Sequence, residues 1–596
     1  MAYLRRPSII LWGLVAVAFA DDRYPPSTLL RELEEMYYAM GGPNWFNKSG
    51  WDTFDDVLLT PSYPCNSTSP WFGVNCSAGH VITITLESNN LQGTIPSTFG
   101  SWNLASNLQR LDLSGKKNFL YGSVPFDIVG PKLSELLLHS NAFNGSLPSL
   151  AGAALTKYFV ELNKFSGQLP AMNEMSSSLK YINVGYNSLT GRIDEFCNLP
   201  YGNLVRLTLE FNQFYGGIPS CLFEVQPNLN WLIINNNLLT GSISKSVCLL
   251  GSNLTYFNVA SNQIGGSLPA CLGSNTSKVE SWQFYTNFFT GPLPDSICSN
   301  GRILDRFEMY DNAFTGSIPL CYGSSFPVLR TLLLHDNNLN GHLPSSWSLG
   351  SLNSFTVSNN VLLSGVLPSS LFLSSNLRNI VVEGTKIGGV IPSSICECSS
   401  LTSIALSGNK FTGNVPACIS DLLYLENLHL ARNSFGSSVP ASLGSIKSLR
   451  TLDISFNALT GSLPASLGNL SKRGIKYFDV SNNFLSCELP AELVAWKNQS
   501  SEHVDILSGS NLFSCASVQS SLFSLTIPLS SGLASVDPFA STIWCADLAL
   551  RALELFTCSM VVVFSLTIFF WLLLNQRLYA TLTISRLVLN EIKATF

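Results

Sequence analysis

The residues able to do chemistry in this 596-residue chain are dispersed along it. Six histidines, His80, His139, His335, His342, His429 and His503, fall far apart. None stands with a carboxylate or cysteine in a spacing that would build a metal site or a catalytic triad. Cys396-Glu397-Cys398 has the look of a ligand pair, but no second pair completes it, and half of a disulfide is the better reading. No glycine-rich loop is suited to cradling a phosphate. Glu308 and Asp311 could pair as acid and base, yet isolated solvated charges are far commoner. The chain reads as a non-enzyme without cofactor or metal.

Its other side chains point to binding. Charged residues make up 12% and the net charge is −5, with no run of Lys or Arg, so the basic footprint that nucleic acid requires is missing. Fifteen cysteines, and sequons at Asn47, Asn66, Asn75, Asn144, Asn253, Asn275, Asn469 and Asn498, indicate an oxidising, glycosylating compartment. Arg5 and Arg6 ahead of the apolar run 9–19, closed by Ala18-Phe19-Ala20, predict an export signal over 1–20.

What positions these residues is a repeat. LVRLTLEFNQFYGGIP begins at Leu204, and five similar stretches begin at Leu229, Leu254, Val279, Leu304 and Leu329, a step of 25 residues each time. A fixed period of this length specifies a solenoid. Each copy reads L-x-x-L-x-L-x-x-N-x-x-x-G-x-[ILV]-P, a leucine-rich repeat. The L-x-L core predicts a short strand with alternate side chains inward. No copy can bury its leucines alone, so neighbours must stack. The Asn amide can satisfy backbone groups where the strand turns away, the Gly allows that turn, and the Pro suits a chain leaving strand pairing. From Val81 the pattern gives 17 copies; Asn fills its slot in 16, and Thr385 stands in the other.

Ahead of the first copy, 27–40 reads as an amphipathic helix. GGPNW at 41–45, Trp51, Pro64-Cys65 and Trp71-Phe72-Gly73-Val74-Asn75-Cys76 follow. Helix and cysteines together predict a cap stapled by Cys65–Cys76. In this text the chain resembles the plant-type leucine-rich repeat receptor family, whose cap carries a helix, GGPNW-like text and PC…W-x-G-V-x-C. The resemblance covers about 27–515.

The predicted architecture is an α/β repeat solenoid, a leucine-rich repeat horseshoe or superhelix with short parallel strands on its concave face. The layout is a signal peptide at 1–20, an N-terminal cap at 21–80, repeats at 81–490 and a C-terminal cap at 491–515. A linker at 516–554, one transmembrane helix at 555–574 and a cytoplasmic tail at 575–596 complete it. The span is predicted from twenty uncharged residues, and Arg577, Arg586 and Lys593 against Glu591 place the tail inside.

Measured from the Pro slot, Cys221, Cys271, Cys321 and Cys418 lie two residues on, while Cys248, Cys298 and Cys396 lie four on in the preceding copies. Cys197 lies at a similar distance before Cys221. This alternating register predicts rungs Cys197–Cys221, Cys248–Cys271, Cys298–Cys321 and Cys396–Cys418; small buried hydrophobes are the alternative. Cys487 and Cys515, in equivalent slots of adjacent copies, form a further predicted pair.

Four positions per copy face solvent beside the strand. From Leu155 to Asn312 these hold Phe159, Tyr181, Tyr186, Phe211, Trp231, Tyr256, Tyr285 and Tyr310; from Leu329 to Asn483 they hold only Phe456 and Tyr477 as aromatics. Arg206, Glu210, Arg306, Glu308 and Asp311 lie among the first group. Exposed rings with mixed charge predict a ligand-binding face for a peptide, protein or glycan; rings stacking only to stabilise the sheet are the alternative. By resemblance the chain would be a membrane-anchored receptor-like protein acting through a co-receptor with a kinase. An adhesion or surface-architecture role, or recognition and inhibition of foreign enzymes, would use the same scaffold.

Overall fold

The computed structural model describes residues 26–513 except 56–62, 66–69, 153, 173–177, 275–277, 488, 500–502 and 507–508. The chain divides into two compact units, Met1–Leu522 and Phe523–Phe596. The signal, the linker, the apolar stretch 555–574 and the tail lie outside the described residues, among which no helix is long and apolar enough to cross a membrane.

The strand cores pair into one sheet. After an antiparallel start, Val74–Ser77 against His80–Thr85, each three-residue strand runs parallel to the next. In the central copies Arg206, Trp231, Tyr256, Ser281, Arg306 and Thr331 stand in register, so equivalent positions of successive repeats form straight columns. Leu207, Leu232, Phe257, Trp282, Phe307 and Leu332 point the other way and are buried. One core runs from the N-terminal helix Pro26–Ala39, through Leu33, Met36 and Tyr37, to Ile506. Trp51 packs edge-on against Trp45 and tilted against Trp71, 5.2 and 5.1 Å away, and with them closes the first end.

The Asn slot is a hydrogen-bond ladder. Asn262 Nδ2 donates to the carbonyls of Ile234, Val259 and Ala260 at 3.0, 3.0 and 3.2 Å, and its Oδ1 accepts from Leu239 N–H at 3.0 Å. One amide thus ties two repeats together at a turn that leaves backbone groups without strand partners. The residue before it takes a left-handed conformation, with φ of 52° at Tyr186, 53° at Phe211 and 54° at Asp311. The Gly slot follows suit, at 78° for Gly241 and 75° for Gly266, as its turn role requires.

The stretch between Asn and Pro is more ordered than a turn. Gln213–Gly217 pairs with Leu238–Thr240, and Gly265–Ser267 with Phe288–Pro292, giving short parallel sheets along an adjoining flank. A Gly-centred segment has little strand propensity; it pairs because stacking brings identical segments alongside one another.

Pro then opens short helices, as at Ser220–Val225, Asp295–Ile303 and Ala417–Asp421. The cysteines sit there or beside them. Cys65–Cys76 and the four rungs Cys197–Cys221, Cys248–Cys271, Cys298–Cys321 and Cys396–Cys418 are closed, with Cα–Cα distances of 5.5, 5.6, 6.1, 6.0 and 5.8 Å. Cys398 is a free thiol in the core, donating to Phe372 O at 3.1 Å, and burial pushes it up to about 11, so it is inert at neutral pH. The Cys487–Cys515 pairing lies outside the described residues. Each rung closes a loop of just over twenty residues, so replacing both Cys298 and Cys321 by Ala is expected to cost about 3 kcal/mol. Equilibrium denaturation under non-reducing conditions measures it; an unchanged midpoint would mean the rung adds nothing to the stacked core.

Within the predicted cap at 491–515, His503–Asp505 extends the long sheet and Leu512–Phe513 extends the flank. Asn511 occupies a further ladder slot, donating to Val480 O and Ile506 O at 3.1 Å each and accepting from Leu485 N–H at 3.2 Å. The helix Ala491–Gln499 lengthens the connection to this copy, the one whose Cys515 takes the slot equivalent to Cys487.

Candidate functional site

The register sorts the candidate ligand-contacting residues into columns on the solvent side of the long sheet. The first holds Tyr181, Arg206, Trp231, Tyr256, Ser281 and Arg306. In it the Arg206 guanidinium lies 4.5 Å over the Trp231 ring, and Trp231 stacks on Tyr256 at 5.3 Å. The second, at the third strand residue, holds Phe159, Asn183, Thr208, Ile233, Asn258, Gln283 and Glu308. Tyr256 Oη donates to Gln283 Oε1 at 3.2 Å, linking the two columns.

Two residues past each strand comes a third column, Glu161, Gly185, Glu210, Asn235, Ala260, Tyr285, Tyr310 and His335. Tyr285 stacks on Tyr310 at 4.6 Å, and Tyr310 on His335 at 4.4 Å. A fourth column consists of the left-handed residues, where Tyr186 stacks on Phe211 at 4.4 Å and Asp311 stays exposed. The thirteen residues therefore share one face, but as ring ladders rather than as separate exposed anchors. Stacking leaves Trp231, Tyr256, Tyr285 and Tyr310 half-buried, while Phe211 is 42% exposed and Tyr186 44%. Glu308 corrects the expectation of a solvated charge: it is buried beneath Arg306, whose Nη1 is 3.3 Å from its Oε1.

The polar groups between the rings set this stretch apart. Seven buried side-chain polar atoms make no hydrogen bond among the described residues, and five lie on this face: Glu161 Oε2, Arg206 Nε, Glu210 Oε2, Asn235 Oδ1 and Ser281 Oγ. Nearer the N-terminus the same columns satisfy themselves: Arg110 bridges Asp112 at 2.8 Å and also meets Glu135, which takes Lys157 at 2.8 Å. Unpaired buried polar groups cost free energy, and binding sites are where such a cost is recovered. Glu161, Asn235, Ser281 and His335 are additional to the thirteen residues predicted from the sequence, and reading each column down the repeat finds them.

Burial pushes the Glu161 carboxyl up to about 7, the neighbouring Glu210 charge adding to the shift and Arg206 opposing it. Burial also raises Glu210 and Glu308, and lowers His139 and His335. The folded chain thus holds a proton on Glu161 that the unfolded chain has released above its ordinary value of 4.5. Stability from this group is full below that value and is lost as pH rises towards about 7. The fall in thermal midpoint between pH 5 and pH 7.5 should be shallower in Glu161→Gln than in the natural chain. Equal slopes would remove Glu161 from the linkage.

Among the exposed sequon residues, Asn144 lies on the flanking strand Ala142–Gly145 and Asn469 in the helix Ala465–Arg473, while Asn75 stands on the first strand of the long sheet, opposite Thr83. Asn253 sits in the helix Lys245–Asn253, donating to Pro227 O at 3.2 Å. Asn66 and Asn275, and the Asn498 side chain, lie outside the described residues.

Comparison with known proteins agrees with this architecture. Residues 448–470 match the Leucine Rich Repeat family model. No curated protein sequence matches significantly. Among solved structures the chain is similar to a TDR receptor, with 25% identity and a TM-score of 0.59 over 72% of this chain and 84% of that one. It is similar to the Arabidopsis receptor kinase HAESA in complex with the peptide hormone IDA and the co-receptor SERK1, with 25% identity and a TM-score of 0.58 over 82% and 86%. The ectodomain of the Arabidopsis thaliana receptor kinase GASSHO1/SCHENGEN3, in complex with CASPARIAN STRIP INTEGRITY FACTOR 2, gives 28% and 0.52 over 74% and 61%. The described chain is a leucine-rich repeat solenoid resembling plant-type receptor ectodomains.

Proposed function

We propose that this chain is a cell-surface receptor-like protein that binds an extracellular peptide on the strand face between Phe159 and His335 and acts through a membrane co-receptor. The observation that carries the reading is the strip of stacked rings interleaved with buried polar atoms lacking partners. Rings supply contact area at low entropic cost, and the unpaired groups supply directional bonds that a peptide backbone and side chains can complete. A peptide suits a strip of adjacent columns better than a small molecule, which needs a concave pocket that encloses it. The likeness to HAESA with its peptide hormone and co-receptor supports the same class of ligand and partner. In this reading the chain has no catalytic role, 1–20 directs export, 555–574 anchors it and the sequons carry glycans.

The test is selection of a random dodecapeptide display library on the full-length chain, purified from a secretory eukaryotic host. Enriched peptides should bind the chain and protect strand-face residues from surface labelling. Failure to enrich any peptide, or protection only on the helical side, would overturn the reading. Topology is checked separately. Glycosidase should shift the mobility of the chain, and a tag after Phe596 should be reached by antibody only in permeabilised cells. A tag reached in intact cells would refute the anchoring.

A further inference from the structure

The third column contains one rung with no side chain, and it falls between two carboxylates. Glu161, Gly185 and Glu210 are consecutive in that column, with Leu162 N–H donating to Gly185 O at 3.1 Å and Tyr186 N–H to Glu210 O at 2.7 Å. A Cβ placed on Gly185 would stand 2.8 Å from Glu210 Cδ and 3.0 Å from each of its carboxylate oxygens. The Glu210 carboxylate therefore leans back over the glycine, towards the side where Glu161 stands. Glu161 Oε2 and Glu210 Oε2 are both buried and without a hydrogen bond. In the next rung Asn235, only 7% exposed, carries an Oδ1 that likewise makes no hydrogen bond. Three unpaired acceptors thus fall in one short strip.

Neither acid is neutralised by its neighbour. Arg206, in the adjacent column, is turned onto the Trp231 ring and forms no ion pair with either carboxylate among the described residues. Beside the notch Tyr186 and Phe211, the residues that follow Gly185 and Glu210 in the chain, present their stacked rings. Carboxylates to accept N–H donors, with aromatic faces alongside for an aliphatic stem and a cation, make up the chemistry of basic side-chain recognition. A calcium or magnesium ion fits poorly, since it takes six or more oxygen ligands and the Arg206 guanidinium stands in the adjacent column.

We propose that the notch at Gly185, between Glu161 and Glu210, is the subsite that takes a guanidinium or ammonium side chain of the bound peptide. The inference rests on the peptide-binding reading and deepens it by naming the ligand residue class. The carboxylates supply the acceptors, Asn235 Oδ1 a further one, and the missing side chain at Gly185 lets the Glu210 carboxylate lie towards Glu161.

The same dodecapeptide selection, run on the full-length chain at pH 7.5, tests it. Enriched peptides should share one Arg or Lys. Replacing that Arg by citrulline, or that Lys by norleucine, in the synthetic peptide should weaken binding at least tenfold to the natural chain and leave binding to the Glu161→Gln/Glu210→Gln variant unchanged. Gly185→Ala, which displaces the Glu210 carboxylate while retaining both acids, should lose affinity for the basic peptide in the same direction. Circular dichroism and the thermal midpoint show whether each variant is folded, and either variant alone suffices for the comparison. Enriched peptides with no basic residue in common, or a citrulline penalty equal in natural and variant chains, would overturn the subsite while leaving peptide binding standing. No enrichment at all overturns both.

Discussion

Replacing Asn262 by Ala destabilises the chain by about 1–3 kcal/mol, the cost of leaving buried backbone groups without partners. The amide is 7% exposed and serves three carbonyls and one N–H. With a methyl in its place, Leu239 N–H loses its acceptor and Ile234 O loses its cross-repeat donor, and the surrounding leucines exclude water from both. Asn262→Asp should cost a comparable amount, since a carboxylate offers no donors to the three carbonyls. Asn262→Thr should cost less, because the chain already solves that case once. At Thr385 the hydroxyl accepts from Ile387 N–H at 3.1 Å, and Asn409 Oδ1 takes both the N–H and the hydroxyl of Thr385. The measurement is chemical denaturation of each variant. An Asn262→Ala midpoint equal to that of the natural chain would mean the turn finds other partners and the ladder is incidental.

Truncating Trp231 and Tyr256 together to Ala should reduce peptide binding at least a hundredfold while leaving the chain folded, since two aromatic hot spots cost about 2 kcal/mol or more each. The pair forms the centre of the first column, with Arg206 resting on Trp231 and Gln283 accepting from Tyr256. Their rings lie on the solvent side and contribute nothing to the leucine core, so the expected loss of stability is limited to the ring stack, the Arg206 contact and the Tyr256–Gln283 hydrogen bond, about 0.5–1.5 kcal/mol each. Phe456→Ala is the matched control. It also removes a ring under an arginine, Arg432 at 4.3 Å, but lies far down the sheet where the columns hold few aromatics. Peptides selected on the natural chain should bind Phe456→Ala unchanged. Full affinity in the Trp231→Ala/Tyr256→Ala variant would move the site elsewhere, and loss of folding would show the rings to be structural.

The linear chain by itself determined the period, and with it most of the scaffold. A stack of identical units admits one pairing, each strand beside its equivalent in the next copy, so the register of Arg206, Trp231, Tyr256 and Ser281 follows from counting. The same counting located the rungs, because the spacing of Cys248 and Cys271 from their prolines is a local quantity that stacking turns into proximity. The inward role of Asn262 and the turn role of Gly266 were legible for the same reason, since each is dictated by backbone chemistry within one copy.

Only the tertiary structure decided what depends on direction and on neighbours two copies away. That Gly185 leaves a gap into which Glu210 bends is a matter of which way one side chain turns, and no pattern of residue types encodes it. The flanking strands such as Gln213–Gly217 exist because stacked glycine-containing segments find partners in one another, although alone they would favour turns. The last copy was legible from the slot of Cys515, but its strand His503–Asp505, set off by the helix Ala491–Gln499, was placed only by the sheet edge. The rings of Tyr285 and Tyr310 were individually visible, but that they form one ladder with His335 was settled by rotamers chosen jointly, each ring packing against the last.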